Sequence, residues 1–117
     1  MTHPLRRPAL FGTITLLIIE QTVYNSHMKI VSWNVNGLRS LAKNGYWESF
    51  LKDIKPDIFG LQETKASPEQ LPEGLLSPAG YSAFFSSCQV RKGYSGVAIY
   101  SKIEPLSVVY GMGIKEF

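Results

Sequence analysis

The chain has 117 residues, of which 44% are hydrophobic and 18% are charged, and its formal net charge at pH 7 is +3. This composition predicts one modest globular domain and excludes an intrinsically disordered chain. The charge is compatible with a polyanionic partner but is too small to indicate one. The single cysteine excludes an internal disulfide and favours a reducing compartment such as the cytoplasm.

Residues 1–27 differ in character from the rest of the chain. Arg6 and Arg7 precede the apolar run 9–19, an order that is typical of a secretory signal. However, the run is about half of the ~20 residues that cross a bilayer, and polar residues follow where small ones are needed for cleavage. We therefore expect no membrane anchor, and we interpret 1–27 as an extension that precedes a natural start at Met28. Amino-terminal sequencing of the expressed protein distinguishes this interpretation from a cleaved signal.

From Met28 onwards the pattern predicts a βαβ unit. Residues 29–34 are rich in β-branched and aromatic residues, as in a strand, and turn-forming residues follow them. A second apolar strand is predicted at 57–61. Between the two strands an apolar stripe with helical spacing ends before Pro56, and its members are Trp47, Phe50, Leu51 and Ile54. The order strand, helix, strand predicts that the two strands are parallel neighbours or near neighbours.

Residues with useful chemistry follow both predicted strands. Asn34 ends the first strand, and the second runs into Glu63 and Lys65. Because parallel strands end at the same edge of a sheet, we expect Asn34 and Glu63 to lie close together. A carboxylate beside an amide can begin a magnesium site that water and phosphate complete. The alternatives are that Glu63 is a solvated surface charge and that Asn34 is a turn residue bonded to its own backbone.

The remaining pattern predicts a helical turn and three strands. Ser67 as a capping serine, Pro68 as a first-turn proline and Gln70 three residues after the serine predict a short helix that Pro72 ends. Residues 81–86, 96–101 and 106–110 predict strands, and the lack of helices between them indicates antiparallel pairing. The loop 91–95 between the first two carries two cations and an aromatic ring, a composition that is typical of contacts with a phosphate backbone. Basic hairpin loops also serve solubility alone.

Three segments stand out together: Ser32–Leu38 (SWNVNGL), Pro56–Lys65 (PDIFGLQETK) and Lys92–Ile99 (KGYSGVAI). In order and spacing they resemble the exonuclease III family of apurinic/apyrimidinic endonucleases, and the resemblance covers residues 28–117. It implies an α/β fold, the amino-terminal half of a four-layered α/β sandwich, with a mixed sheet and covering helices. It also implies a DNA repair nuclease that requires Mg²⁺, with Mn²⁺ as a substitute. Such an enzyme hydrolyses the backbone of duplex DNA at abasic sites, trims 3′ ends, has no membrane partner and is monomeric at full length.

The resemblance assigns roles to individual residues. Glu63 matches the metal-binding glutamate of the family and Asn34 its active-site asparagine, so both are expected in catalysis and at the metal. Asn36 stands where some members have aspartate, and we expect it near bound DNA. Lys65 and the loop are expected to contact the DNA backbone. The loop residues in question are Arg91, Lys92, Gly93 and Tyr94.

The resemblance also implies catalytic groups that this sequence lacks. In the family an Asp-x-Asn pair and a late Asp-His unit complete the site, and the second half of the domain supplies both. The two histidines of this chain, His3 and His27, precede the first motif. We therefore expect residues 28–117 to be a truncated, inactive part of the domain. Two alternatives are a non-catalytic DNA-binding remnant and a phosphatase or phospholipase of the wider endonuclease/exonuclease/phosphatase superfamily.

Overall fold

A computed structural model describes residues 14–17, 27–87, 90–91 and 93–111. Its strands are β1 (Ile14–Leu17), β2 (Ile30–Asn34), β3 (Ile58–Gln62), β4 (Ser82–Ser86), β5 (Val97–Ser101) and β6 (Ser107–Tyr110). Its α-helices are α1 (Leu38–Lys43), α2 (Tyr46–Ile54) and α3 (Glu73–Leu76), and a 3₁₀ turn covers Pro68–Gln70. No helix within these described ranges is long and apolar enough to span a membrane.

The main sheet has four strands in the order β2-β3-β5-β4. β2 and β3 are parallel and in register from Ile30 opposite Ile58 to Asn34 opposite Gln62, which confirms the predicted βαβ unit. β5 is antiparallel to both β3 and β4. The predicted mixed sheet of an α/β protein is therefore confirmed.

The helices cover one face of this sheet because each of them contributes buried apolar side chains to the core. In α2 the side chains of Trp47 and Phe50 are buried and Leu51 is half-buried, as the predicted stripe requires. Ile54, the last member of that stripe, is exposed at the end of the helix, so the prediction is wrong for this residue. The helix ends at Lys55, which adopts a left-handed conformation (φ 51°) just before Pro56. A proline removes the next backbone donor and disfavours helical geometry in the residue before it.

An aromatic cluster forms the core between the helices and the sheet. Phe59 of β3 is fully buried and stacks on Tyr100 of β5, with ring centroids 4.7 Å apart and planes 6° from parallel. Trp47 and Phe50 of α2 contact the Phe59 ring, with centroid separations of 5.8 and 5.0 Å. The hydroxyl of Tyr100 donates to the carbonyl oxygen of Leu75 in α3 (2.6 Å). The core thus ties the strand that leads to Glu63 to the helical layer and to β5.

The structure adds elements that the sequence pattern did not predict. Helix α1 is one, and α3 is another. The predicted short helix at 67–70 is a single 3₁₀ turn, although its capping box is present as expected, with Ser67 and Gln70 bonded reciprocally. β6 does not join β5 but pairs antiparallel with β1, which lies in the segment interpreted as an extension. Ile14 of β1 is buried and, with Gly60, lines a depression on the sheet face opposite the helices.

Candidate active site

The parallel register of β2 and β3 brings Asn34 and Glu63 to the same edge of the sheet. Asn34 lies opposite Gln62, so Glu63 is the residue directly after its partner. One further backbone bond, from Val35 N–H to the Gln62 carbonyl (3.0 Å), continues the ladder past the end of β2. Both Asn34 and Glu63 are exposed. The shared edge predicted from the sequence is therefore confirmed.

The segment 63–65 has an unusual backbone that four hydrogen bonds fix. Glu63 and Lys65 both adopt left-handed conformations, with φ of 55° and 53°. Two N–H groups at the start of α1 donate to the carbonyls of residues 63 and 64 (2.8 and 2.9 Å). The N–H groups of residues 64 and 65 donate to carbonyls in 95–96 (3.1 and 2.6 Å). Three parts of the chain therefore meet where the predicted metal ligand lies.

A short chain of polar contacts joins the predicted site residues. The Lys65 ammonium donates to the Asn36 amide oxygen (2.6 Å), and the Asn36 backbone N–H donates to the Asn34 amide oxygen (3.0 Å). The second contact is the turn geometry that the alternative interpretation of Asn34 expected. It leaves a lone pair of that oxygen for another partner, because a carbonyl oxygen has two. Asn34 is therefore both a turn residue and an exposed polar group at the site.

A cleft of about 350 Å³ lies beside this network, and Glu63, Lys65, Tyr94 and Ser95 line it. The Arg91 guanidinium lies 5.1 Å from the centroid of the Tyr94 ring, within range of a cation–π contact. Gly93, with φ of 77°, allows the turn between them. Lys92 lies outside the described residues. The structure thus brings a carboxylate, cations and an exposed aromatic ring to one surface.

The chemistry of these side chains fits a divalent cation that shares its ligands with a substrate. Within the described ranges, no group of three or more His, Cys, Asp or Glu residues could form an all-protein metal site. Magnesium commonly takes one or two carboxylates and completes its octahedron with water and phosphate oxygens. Glu63 supplies such a carboxylate, and Asn34 supplies a neutral oxygen. Asn36 fits less well, because the Lys65 ammonium that donates to its amide oxygen is positively charged and would repel a metal cation bound to the same oxygen.

Sequence reasoning missed three residues that shape this site. Arg39 donates from its guanidinium to the Lys65 carbonyl (3.2 Å). Thr64 is almost fully buried between Glu63 and Lys65, and Gly96 approaches its hydroxyl closely. Two of these residues could have been noticed in the sequence, because Arg39 directly follows the first motif and Gly96 is the second glycine of the third motif. A separate depression of about 380 Å³ between α1, α2 and α3 contains none of the predicted site residues.

Comparison with known proteins agrees with this geometry. Residues 31–115 match the Endonuclease/Exonuclease/phosphatase family. The chain is 46% identical over 89 residues to an exodeoxyribonuclease of Bacillus subtilis (strain 168), covering 76% of this chain and 34% of the relative. It is 42% identical over 93 residues to the DNA repair nuclease APEX1 of Danio rerio, covering 78% of this chain and 29% of the relative.

A solved structure gives the same result. The chain superimposes on an AP endonuclease from Archaeoglobus fulgidus with a TM-score of 0.56 and 40% identity, over 67% of this chain and 28% of that one. The matched region spans about a third of the length of the B. subtilis and Danio rerio relatives. The three motifs, the mixed sheet and these similarities agree. The chain belongs to the endonuclease/exonuclease/phosphatase family, and within that family it resembles the exonuclease III group of AP endonucleases.

Proposed function

We propose that this chain is part of a Mg²⁺-dependent DNA repair nuclease that hydrolyses the phosphodiester backbone of duplex DNA at abasic sites and trims 3′ ends. The observation that carries the proposal is the cleft beside Asn34 in which Glu63, Lys65 and Tyr94 meet. A carboxylate for a divalent cation, a cation for a phosphate and an aromatic ring for the sugar or base are the groups that such a substrate requires.

Each side chain has a distinct part in this proposal. Glu63 holds the metal, whose bound charge would offset the negative charge that develops on the phosphate. Asn34 orients the phosphate or the metal through its exposed amide. Lys65 contacts the DNA backbone as a point charge. Tyr94 packs against the sugar of the DNA backbone, with Arg91 beside its ring.

We further propose that the chain is inactive by itself. Hydrolysis requires a positioned nucleophile, neutralisation of the phosphate charge and stabilisation of the leaving oxygen. Glu63, Asn34 and Lys65 address the second requirement. The described residues around the cleft offer no second carboxylate and no histidine that could activate water.

A chimera tests the proposal directly. Residues 28–111 replace the matching stretch of the B. subtilis exodeoxyribonuclease, and incision of an abasic-site duplex is measured with Mg²⁺. We expect the chimera to cleave and Glu63→Gln to lower its rate about 100-fold or more. Glu48→Gln, which changes an exposed glutamate of α2, should leave the rate unchanged.

Other outcomes separate the alternatives. A folded chimera without nuclease activity would refute the assignment of the site, and hydrolysis of a small phosphate ester by that chimera would favour the phosphatase alternative. Salt-sensitive duplex binding by the 117-residue chain without cleavage is expected both from the proposal and from a non-catalytic DNA-binding remnant, and cleavage by the chimera separates these two. Glu63-dependent cleavage by the 117-residue chain alone would refute its inactivity.

A further inference from the structure

We propose that the close contact between Gly96 and Thr64 positions the side chains of Glu63 and Lys65. Its importance for catalysis rests on the proposed function, because it matters there only if Glu63 holds a metal ion. The positioning itself is a separate claim about the backbone. Thr64 and Gly96 are accordingly positioning residues and do not touch the substrate.

The first observation is the alternating backbone of 63–65. Glu63 and Lys65 both lie in the left-handed region, which residues with a Cβ rarely adopt, and neither is the asparagine or glycine that such positions favour. The side chain between them, Thr64, is only 1% exposed. Unfavourable conformations of this kind persist where the surrounding structure over-determines them, and they concentrate at functional sites.

The second observation identifies what fixes this backbone. Gly96 has a φ of +97°, and a Cβ atom added to it would lie 2.6 Å from the Thr64 hydroxyl oxygen. The same Cβ would lie 3.7 Å from the Cα of Ser87, so it could not move freely to the other side. Only glycine at this position lets the start of β5 approach the buried threonine closely enough for the backbone bonds between them.

Displacement of Thr64 must therefore affect both neighbours. The Thr64 N–H donates to the Gly96 carbonyl (3.1 Å), and the Lys65 N–H donates to the Ser95 carbonyl (2.6 Å). A methyl group at position 96 would overlap the Thr64 hydroxyl, and because Thr64 is buried on all sides we expect the overlap to displace its backbone and lengthen both bonds. Glu63 and Lys65 would then lose the constraint that keeps them left-handed, and the carboxylate and ammonium would change direction.

The chain contains a matched control for this substitution. Gly80 also has a left-handed backbone, with φ of +88°, but an added Cβ would meet nothing within 4 Å. Gly80→Ala therefore introduces the conformational strain of a positive φ without the overlap. Gly96→Ala introduces both. A double variant, Thr64→Ala with Gly96→Ala, removes the hydroxyl that the new methyl group would strike.

The experiment measures amide hydrogen exchange by NMR in the 117-residue chain and its variants. In Gly96→Ala we expect protection of the Thr64 and Lys65 amides to fall about tenfold or more relative to Gly80→Ala, while the Phe59 and Leu61 amides of β3 keep theirs. The double variant should regain most of the lost protection. Equal protection in Gly96→Ala and Gly80→Ala, or no recovery in the double variant, would overturn the proposal.

Titration with Mn²⁺ tests whether the contact between Gly96 and Thr64 affects metal binding at Glu63 in addition to the local structure. Paramagnetic broadening of amide signals near Glu63 should require about tenfold more Mn²⁺ in Gly96→Ala than in Gly80→Ala. If the unaltered chain shows no such broadening, the metal-binding part of the proposed function fails, while the exchange data still decide the positioning. If Gly96→Ala does not fold, recovery of folding in the double variant supports the proposal and its absence overturns it.

Discussion

Replacing Lys65 by glutamine removes one positive charge from the cleft while keeping a polar side chain of similar length. Lys65 as a residue is half-buried, and its ammonium donates to the neutral amide oxygen of Asn36 (2.6 Å). A neutral partner does not cancel the charge, so the charge remains available to a phosphate. We therefore expect Lys65→Gln to weaken binding of duplex DNA and to make that binding less sensitive to salt.

The magnitude follows from one lost phosphate contact at a partly solvated position. A hydrogen bond to a charged group contributes about 1.5 kcal/mol at the low end of its range, which corresponds to about tenfold in affinity at about 50 mM salt. Each phosphate contact adds about 0.9 to the slope of log K against log salt. Between about 50 and 200 mM salt this term is worth about 3.5-fold, so the difference between the two proteins should shrink to about threefold.

Fluorescence anisotropy with a labelled abasic-site duplex measures both quantities. Lys52→Gln is the matched control, because Lys52 is exposed in α2 and lies in the last turn of that helix, away from the cleft. It should change affinity and slope much less than Lys65→Gln. Parallel salt plots for the unaltered chain and Lys65→Gln, or an equal shift in Lys52→Gln, would refute the assignment of Lys65 to the DNA backbone.

The aromatic core that supports the site carries three further predictions. Tyr100→Phe should lower the free energy of unfolding, measured in urea at pH 7, by about 1 to 2 kcal/mol, because the Leu75 carbonyl loses its buried donor. As a control, Tyr46→Phe changes an exposed tyrosine and should alter the free energy of unfolding by less than about 0.5 kcal/mol. Burial raises the pKa of Tyr100, so the unaltered chain should lose stability as pH rises above about 10, where the unfolded tyrosine ionises first. Tyr100→Phe should lose less over that range, and identical pH profiles would contradict this. Phe59→Ala should cost about 3 to 5 kcal/mol in the same urea assay, and a cost below about 1 would show that the ring is not central to the core.

The βαβ unit was predictable because its signals are local. The apolar stripe of α2 has a clear helical period, and Lys55-Pro56 is a strong stop signal. Helix α1 gave no comparable signal, since it is only six residues long and its N-cap is Gly37, which has no side chain to cap the helix. The pairing of β1 with β6 joins residues 14–17 to residues 107–110. Such non-local pairing depends on the whole sheet and leaves no periodic trace in either strand.

The candidate site divides in the same way. The shared edge of Asn34 and Glu63 follows from strand direction alone, so a prediction of parallel β2 and β3 was sufficient. The contact between the Lys65 ammonium and the Asn36 amide depends on side-chain placement, which sequence spacing does not determine. The left-handed backbone of Glu63 and Lys65 was not predictable either, because both residue types normally disfavour it. Gly96 could be recognised in the sequence as the second glycine of the third motif. That it lies against Thr64 could be seen only in the folded structure.

The backbone of 63–65 also bears on how the cleft would receive a ligand. Two non-glycine residues in the left-handed region cost about 1 to 2 kcal/mol each. Four backbone hydrogen bonds to α1 and to 95–96 are available to offset that cost, at about 1 kcal/mol apiece. The two sums are similar, so the fold can maintain this conformation without help from a bound cation or phosphate. A ligand that enters the cleft would therefore meet a backbone at 63–65 that is already in place, and would not spend binding energy on ordering that backbone.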